Sequence, residues 1–402
     1  MSLVITPVRG FRELQAFVKL PERLHAGTPW IIQLRIERYA YLTRATGAFF
    51  KHGTAQYFLA RRDGRIVGRI SAHVSHRLNA QQNTRWGLFG FFDFEQDQEI
   101  CDALLTAAEG WLRAQGCDRM VGPFSFTPND EAGILIKGHH LEPMIRQGWN
   151  PPYYQTMVEA AGLTKAMDMY HWELDIADRT ERMLPILPQL AQEARDKHGL
   201  TVRRMTRRSL WRDLDQFIEV YNAAWAKNWG FVPYTKADKP ELWVDYQLVF
   251  AGEWFMIVEG PGGELVAMAA TIPDPNQVQE RMKGRLLPFG WFYLIFKRRF
   301  IDRARVGFLG VMPAYQHTGA GSLLYMEHYD TAPKTKITHG EAGWILETNR
   351  SMNRGLEAMG GHITKIYRAY ERIWEEGAVP AAPPERIRRY NPPAHVLEAP
   401  PS

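Results

Sequence analysis

Cysteine is almost missing from this chain: Cys101 and Cys117 are the only two among 402 residues. Two thiols cannot build a disulfide framework, and their spacing fits no zinc knuckle, so a reducing compartment is expected. Long apolar runs are scarce as well. The most apolar stretch, LLPFGWFYLIF at 286–296, is far shorter than the roughly 20 residues needed to span a bilayer. The opening MSLVITPVRGFRELQ has neither a charged n-region nor an apolar h-region, so no secretory signal is read and a cytoplasmic protein is expected. An excess of one charge is also lacking, with 49 Lys and Arg against 44 Asp and Glu. The basic residues form short separate clusters (Arg203, Arg204, Arg207, Arg208; Lys297, Arg298, Arg299) outside any nucleic-acid-binding motif, so no nucleic-acid partner is expected. His73 and His76, like His139 and His140, lack the acidic company of a metal site, and no metal is expected.

What remains is an ordinary globular composition, 45% hydrophobic and 12% aromatic, on a chain long enough for two domains. Two blocks repeat one plan. QYFLARRDGRIVGRISAHV (56–74) reads as strand, Asp-Gly turn, strand, and WFMIVEGPGGELVAMAATIPD (254–274) repeats it with Gly-Pro-Gly-Gly. FGFFDFEQD then precedes a helical pattern at 99–117, as VGFLGVMP precedes GSLLYMEHYD. Further strands follow in each block. The expectation is a duplicated α/β (α+β) unit with mixed central sheets flanked by helices. Its boundaries are a first domain over 1–175, a linking helix over 176–200, a second domain over 201–377, and a proline-rich tail over 378–402 that is extended or disordered.

The stretch VMPAYQHTGAGSLLY (311–325) joins a strand ending at Val311 to a helix beginning near Ser322. Glycines in such a turn admit a close ligand, and free N–H groups at a helix start attract an anion. No Gly-Lys pair and no Gly-x-Gly-x-x-Gly occurs in the chain, which excludes Walker-A and Rossmann readings. Gln316-His317-Thr318-Gly319-Ala320-Gly321 resembles the pyrophosphate signature of the GNAT acyltransferase superfamily, Gln/Arg-x-x-Gly-x-Gly/Ala. The resemblance implies that residues 316–322, with Val311 and Ser322 at the ends, hold the pyrophosphate of coenzyme A. It also implies that the next strand splays away to admit the pantetheine arm, which Asn349 contacts. The tyrosine that many relatives use as an acid on the last helix is here Leu356.

In HGEAGWILE, alternation sets Glu341, Gly343, Ile345 and Glu347 on one face. A carboxylate can take the proton an ammonium must lose before attacking a thioester. Glu347 is the expected base and Glu341 the second, with salt bridges to Lys365 and Arg368 as the bland alternative; Tyr367 is the candidate acid. In the first block Asp93, Glu95 and Asp97 stand where phosphates would need N–H groups, so that half is expected to be degenerate. Asn228 and Trp229 in AWAKNWGFVPYT, and Asp274 and Asn276 in IPDPNQ, are candidate substrate contacts, with packing and turns as their alternatives.

Taken together, GRISAHV, GPFSF, NPPYY, NWGF, LGVMPAYQHTGAG, WILETN and KIYRAYER resemble the YghO-like proteins, a bacterial group of tandem GNAT-like domains similar to bacterial ceramide synthases. That resemblance implies an acyl-CoA-dependent N-acyltransferase, with acyl-CoA as co-substrate and a long-chain sphingoid base as acceptor. The other readings are acetyl transfer to a small amine and a non-catalytic acyl-CoA or lipid-binding protein. The aromatic run LLPFGWFYLIF followed by Lys297, Arg298 and Arg299 suits peripheral contact with the inner membrane or the lining of an acyl-chain groove, with a buried helix that has a charged end as the alternative.

Overall fold

The structure is a computed structural model in which residues 2–176 and 183–398 are described. Strands numbered along the chain are β1 (Leu3–Pro7), β2 (Gly53–Arg62), β3 (Arg65–Ser75), β4 (Trp86–Phe94), β5 (Arg119–Gly122), β6 (Ile134–Lys137) and β7 (Thr164–Asp175). After them come β8 (Thr201–Arg204), β9 (Phe255–Glu259), β10 (Leu265–Pro273), β11 (Arg303–Val311), β12 (His339–Leu346) and β13 (His362–Ile373). Both expected hairpins form. Asp63 and Gly64 take φ of 51° and 81°, the left-handed pair that a tight turn between β2 and β3 requires.

Among the described residues all thirteen strands belong to one sheet, ordered β1-β2-β3-β4-β5-β13-β7-β12-β11-β10-β9-β8, with β6 beside β13. The order reads the same from either edge, as duplication predicts: β1 to β5 on one side match β8 to β12 on the other. Its centre was not expected. β5 pairs with β13 and β12 pairs with β7, so each half completes the sheet of the other with its own last strand. β7 and β13 pair antiparallel between them, from His362 opposite Glu173 to Glu371 opposite Thr164. The sheet therefore runs unbroken across the boundary read at residue 175.

Helices cover both faces. Gln98–Ala114 buries Leu104, Leu105, Ala108 and Leu112 on β2 and β3, and Asp97 caps it by accepting from Glu99 N at 2.9 Å. In the second half, Leu210–Trp225 packs Phe217 and Tyr221 against Phe308 of β11. The linking segment contributes a helix at Ile186–Asp196, shorter than expected; the residues 177–182 ahead of it lie outside the described ones. The tail corrects the expectation of a loose end. Although mostly irregular, it is pinned: Tyr390 N donates to Glu347 O at 2.7 Å, Ala381 N to Glu371 Oε2 at 2.8 Å, and Val396 is buried.

Candidate active site

β11 and β12 run parallel and paired only from Arg303–Val306 against His339–Ala342; beyond that they part. The gap is a slot lined by Val306, Phe308, Ala342, Trp344 and Asn349, with Trp225 and Asn228 at the side of the Leu210–Trp225 helix. Trp225 and Trp344 face each other across it with ring centroids 6.1 Å apart. β11 has a bulge here: Ala270 pairs with Phe308 and Thr271 with Val306, leaving Gly307 unmatched, exposed and on the slot wall. A bulge frees backbone groups from the ladder, and Gly307 at this bulge lines the slot. Asn349 sits at the slot's end and caps the Arg350–Ala358 helix, its Oδ1 accepting from Met352 N at 3.2 Å.

At the end of β11 the expected turn leads into the helix Ala320–Thr331. Thr318 closes it, donating through Oγ1 to Tyr315 O at 2.7 Å. Gly319 has φ 79°, and a Cβ there would lie 2.6 Å from Leu190 O of the crossing Ile186–Asp196 helix, so glycine is required for two reasons. The N–H groups of Ala320, Gly321 and Ser322 have no acceptor within their helix, and the helix dipole reinforces them. Gln316 and His317 are exposed beside them. Free N–H groups at a helix start suit an anionic group such as a diphosphate.

The expected acid–base residues are placed differently. Glu347 is buried outside the slot, 2.8 Å from Lys165 Nζ and 3.5 Å from Arg389 Nε, and accepts from Asp168 N. Its carboxylate fastens the tail to β7, which removes the ground for preferring it as base. Glu341 is also buried, held by Lys365 Nζ at 2.5 Å, by His171 Nδ1 at 3.0 Å and by Gln147. Burial alone would raise its pKa, but the charge of Lys365 and the hydrogen bond from His171 hold it well below the usual carboxylate range. Such a carboxylate is a poor proton acceptor. The salt-bridge alternative thus holds for Glu341 with Lys365, whereas Arg368 pairs with Asp168 at 2.7 Å. Tyr367 donates to Gly148 O at 2.7 Å, and burial pushes its hydroxyl well above its ordinary pKa: a packed core tyrosine.

Of the expected substrate contacts only Asn228 reaches the slot. Trp229 donates its indole N–H to Ala381 O at 2.7 Å and packs on Trp86 and Phe124. Asp274 is fully buried, binds Arg303 Nε at 2.9 Å and accepts from Ile145 N, while Asn276 donates to Pro143 O. Both clamp the segment around residues 143–146 onto the second half.

That clamp brings in residues to which the sequence reading gave no role. Arg305 reaches from β11 to donate to Gly343 O at 3.0 Å and to Ile145 O. The next residue, Arg146, has φ 58° and donates to Asn129 O at 3.3 Å, with Asp245 3.7 Å away. Asp130 accepts from Thr127 Oγ1 at 2.9 Å, and burial raises its pKa against the attraction of Arg146. Its neighbour Asn129 accepts from Tyr221 OH at 2.9 Å, and Tyr221 packs on Phe308 of the slot. The sequence places GPFSFTPNDEAGILIKG (122–138) near the cleft but assigns none of its residues a role, and its Asn-Asp dipeptide reads equally as a turn.

The first half shows the same scaffold with its slot shut. β4 and β5 pair from Trp86–Leu88 against Arg119–Val121, and then Phe124 fills the gap, with its carbonyl oxygen 1.7 Å from where a Cβ on Gly90 would be. Asp93 binds Arg69 at 2.7 Å, Glu95 binds Arg65 at 2.7 Å, and Asp97 caps the following helix. Carboxylates occupy the positions an anion would need.

Comparison with known proteins agrees with this geometry. The Acetyltransferase (GNAT) family model matches residues 26–132, so the shut half still carries the family pattern. The chain is 35% identical over 389 residues to the bacterial ceramide synthase of Caulobacter vibrioides, covering 92% of this chain and 97% of that protein. It is 33% identical over 369 residues to the protein YghO of Escherichia coli K12, covering 90% and 93%. A tandem GNAT protein from the clavulanic acid biosynthesis pathway has the same fold, at a TM-score of 0.50 and 12% identity over 96% of this chain and 100% of that one. The chain belongs to the GNAT superfamily and is an acyl-CoA N-acyltransferase. Within it, the chain is a tandem-GNAT protein of the group that includes this ceramide synthase and YghO.

Proposed function

We propose that the second half binds acyl-CoA and that the acyl group passes to the amine of a long-chain lipid such as a sphingoid base. The observation that carries this is the open slot beside β11, the strand that leads into the Gly319 turn, in contrast to a first half whose slot is filled. Coenzyme A supplies an activated thioester. Ala320, Gly321 and Ser322 hold its diphosphate through backbone N–H groups, Asn349 meets the pantetheine arm, and the backbone at Gly307 orients the thioester carbonyl. Trp225, Trp344 and Phe308 exclude water.

An amine arrives as an ammonium and has to lose a proton. Asp130 suits this better than Glu347 or Glu341: burial raises its pKa despite Arg146, whereas those two carboxylates are held in ion pairs with Lys165 and Lys365. The lipid acceptor is supported by the surface as well as by the ceramide synthase relative. Leu287, Phe289 and Ile295 are 72%, 74% and 65% exposed, next to Lys297, Arg298 and Arg299. Leu248, on the helix Lys239–Val249, is 69% exposed and its carbonyl accepts from Lys297 Nζ, so the apolar surface continues onto the helix that bears Asp245. An apolar face rimmed by cations suits an anionic membrane, with no helix among the described residues long and apolar enough to cross one.

The test is release of coenzyme A from a ladder of acetyl- to palmitoyl-CoA offered with sphinganine, 3-ketosphinganine and a polyamine, with products read by mass spectrometry. An N-acyl sphingoid formed from a long-chain donor is expected. Acetyl transfer to the polyamine alone would replace the lipid reading.

A further inference from the structure

Beneath β11 and β12, on the face covered by the helices Ala320–Thr331 and Arg350–Ala358, lies a second cavity. Strand alternation puts Ala304 of β11 and Gly340 and Ala342 of β12 over it, while Arg305 and Glu341 point to the other face. Three small residues on adjacent strands leave a trough where larger side chains would fill the core. The wall is otherwise made of Val306, Leu309, Met352, Leu356, Met359 and their neighbours.

The few polar groups in the wall are turned away or paired. Thr271 Oγ1 bonds His328 Nε2 at 2.7 Å, and His328 Nδ1 lies 2.6 Å from Leu324 O. Tyr329 OH donates to Met359 O at 3.0 Å, and Tyr325 OH donates to the thioether of Met352 at 3.2 Å. A polar ligand would find no free partner here, and a dry apolar cavity takes an apolar guest. Val306, Leu309, Ala342 and Met352 line both this cavity and the slot. The two are adjoining chambers that share these four residues as a common wall. As it stands the cavity holds ≈ 30 Å³, room for about two waters. A chain entering it has to push aside Met352 and Met359, the side chains most able to repack.

We propose that this cavity is the binding site for the fatty acyl chain of the acyl-CoA, and that its small ceiling residues Ala304 and Gly340 set how long a chain is accepted. The inference rests on the reading of the slot as the coenzyme site. It places the acyl chain on the face that bears the diphosphate turn, opposite the face bearing Asp130 and Arg146, so donor chain and acceptor approach the thioester from different sides.

Isothermal titration of coenzyme A and of palmitoyl-CoA below its micelle concentration tests it. Each buried methylene is worth about fourfold in affinity, from ~0.8 kcal/mol apiece, so palmitoyl-CoA is expected to bind at least about a hundredfold more tightly than coenzyme A. Ala304→Leu, which fills the cavity from the sheet, is expected to cut that ratio by tenfold or more. Leu356→Phe fills it from the helix side and is expected to do the same, which guards against one variant misfolding. Equal affinities for the two ligands in the unsubstituted protein, or a ratio unmoved in both variants, would overturn the proposal while leaving the coenzyme site intact. Binding of neither ligand would overturn the coenzyme reading with it. Weakened sphinganine binding with an unchanged ratio would give the cavity to the acceptor's chain and also overturn it.

Discussion

At the scale of single residues, Glu341 shows how a carboxylate can look catalytic in a sequence and be structural in the fold. Lys365, His171 and Gln147 surround it, and its exposure is 2%. Removing the charge from Glu341 leaves Lys365, itself 4% exposed, unpaired in the interior. Glu341→Gln is therefore expected to lose about 3–5 kcal/mol of stability at neutral pH. Because the folded pKa lies below the unfolded value of about 4.3, the carboxylate's contribution is complete above that pH and is lost as pH falls toward the folded value. Urea denaturation at pH 7 and pH 3.5 checks this: the gap between unsubstituted and variant protein should narrow on acidification. A gap that stays constant would contradict it. The strand pattern of HGEAGWILE was legible, and so was Lys365 as a salt-bridge partner, but Lys165, His171 and Gln147 were not, since they are far away in sequence, the first two on β7 and the third in the segment after β6.

At the scale of elements, much more could be read in advance. The Asp63-Gly64 hairpin, the Gly-rich turn after Val311 and the helix expected over 99–117, which runs Gln98–Ala114, each follow from local chemistry. The parting of β11 and β12 could be anticipated only by resemblance, because nothing in the composition of either strand says that pairing stops at Val306. The segment 286–300 illustrates the opposite limit. Its apolarity was plain, yet apolarity alone suits a buried helix equally, and only the fold leaves Leu287, Phe289 and Ile295 facing outward. Each such side chain contributes about 1.5–3 kcal/mol when fully buried. Leu287→Ser, Phe289→Ser and Ile295→Ser combined should lower co-sedimentation with phosphatidylglycerol vesicles at least tenfold without changing coenzyme A affinity. Unaltered sedimentation would show that the face does not touch the bilayer.

At the scale of the whole molecule, duplication has produced two halves with one scaffold and divergent sites. A period of about 200 residues, visible in the paired hairpins and strands, announced the repeat. The strand exchange at its centre was hidden, because β7 and β13 are equally good central strands for either half, and only tertiary packing chooses between them. The exchange ties the first half to the second: β13 pairs with β5, and the loops between β5 and β7 supply Asn129, which accepts from Tyr221 of the second half, and Arg146, which donates to Asn129 O.

The central claim, that one coenzyme site survives and lies in the second half, is tested most directly by the stoichiometry of coenzyme A binding. Gly321 is the position to alter, since a Cβ there meets only Val311 Cγ2 at 3.9 Å and its φ is unstrained, unlike that of Gly319. Calorimetric titration should give one coenzyme A per chain, and Gly321→Asp, which sets a carboxylate against the diphosphate, should weaken binding about tenfold or more. Two equivalents per chain, or undiminished affinity in Gly321→Asp, would contradict the account.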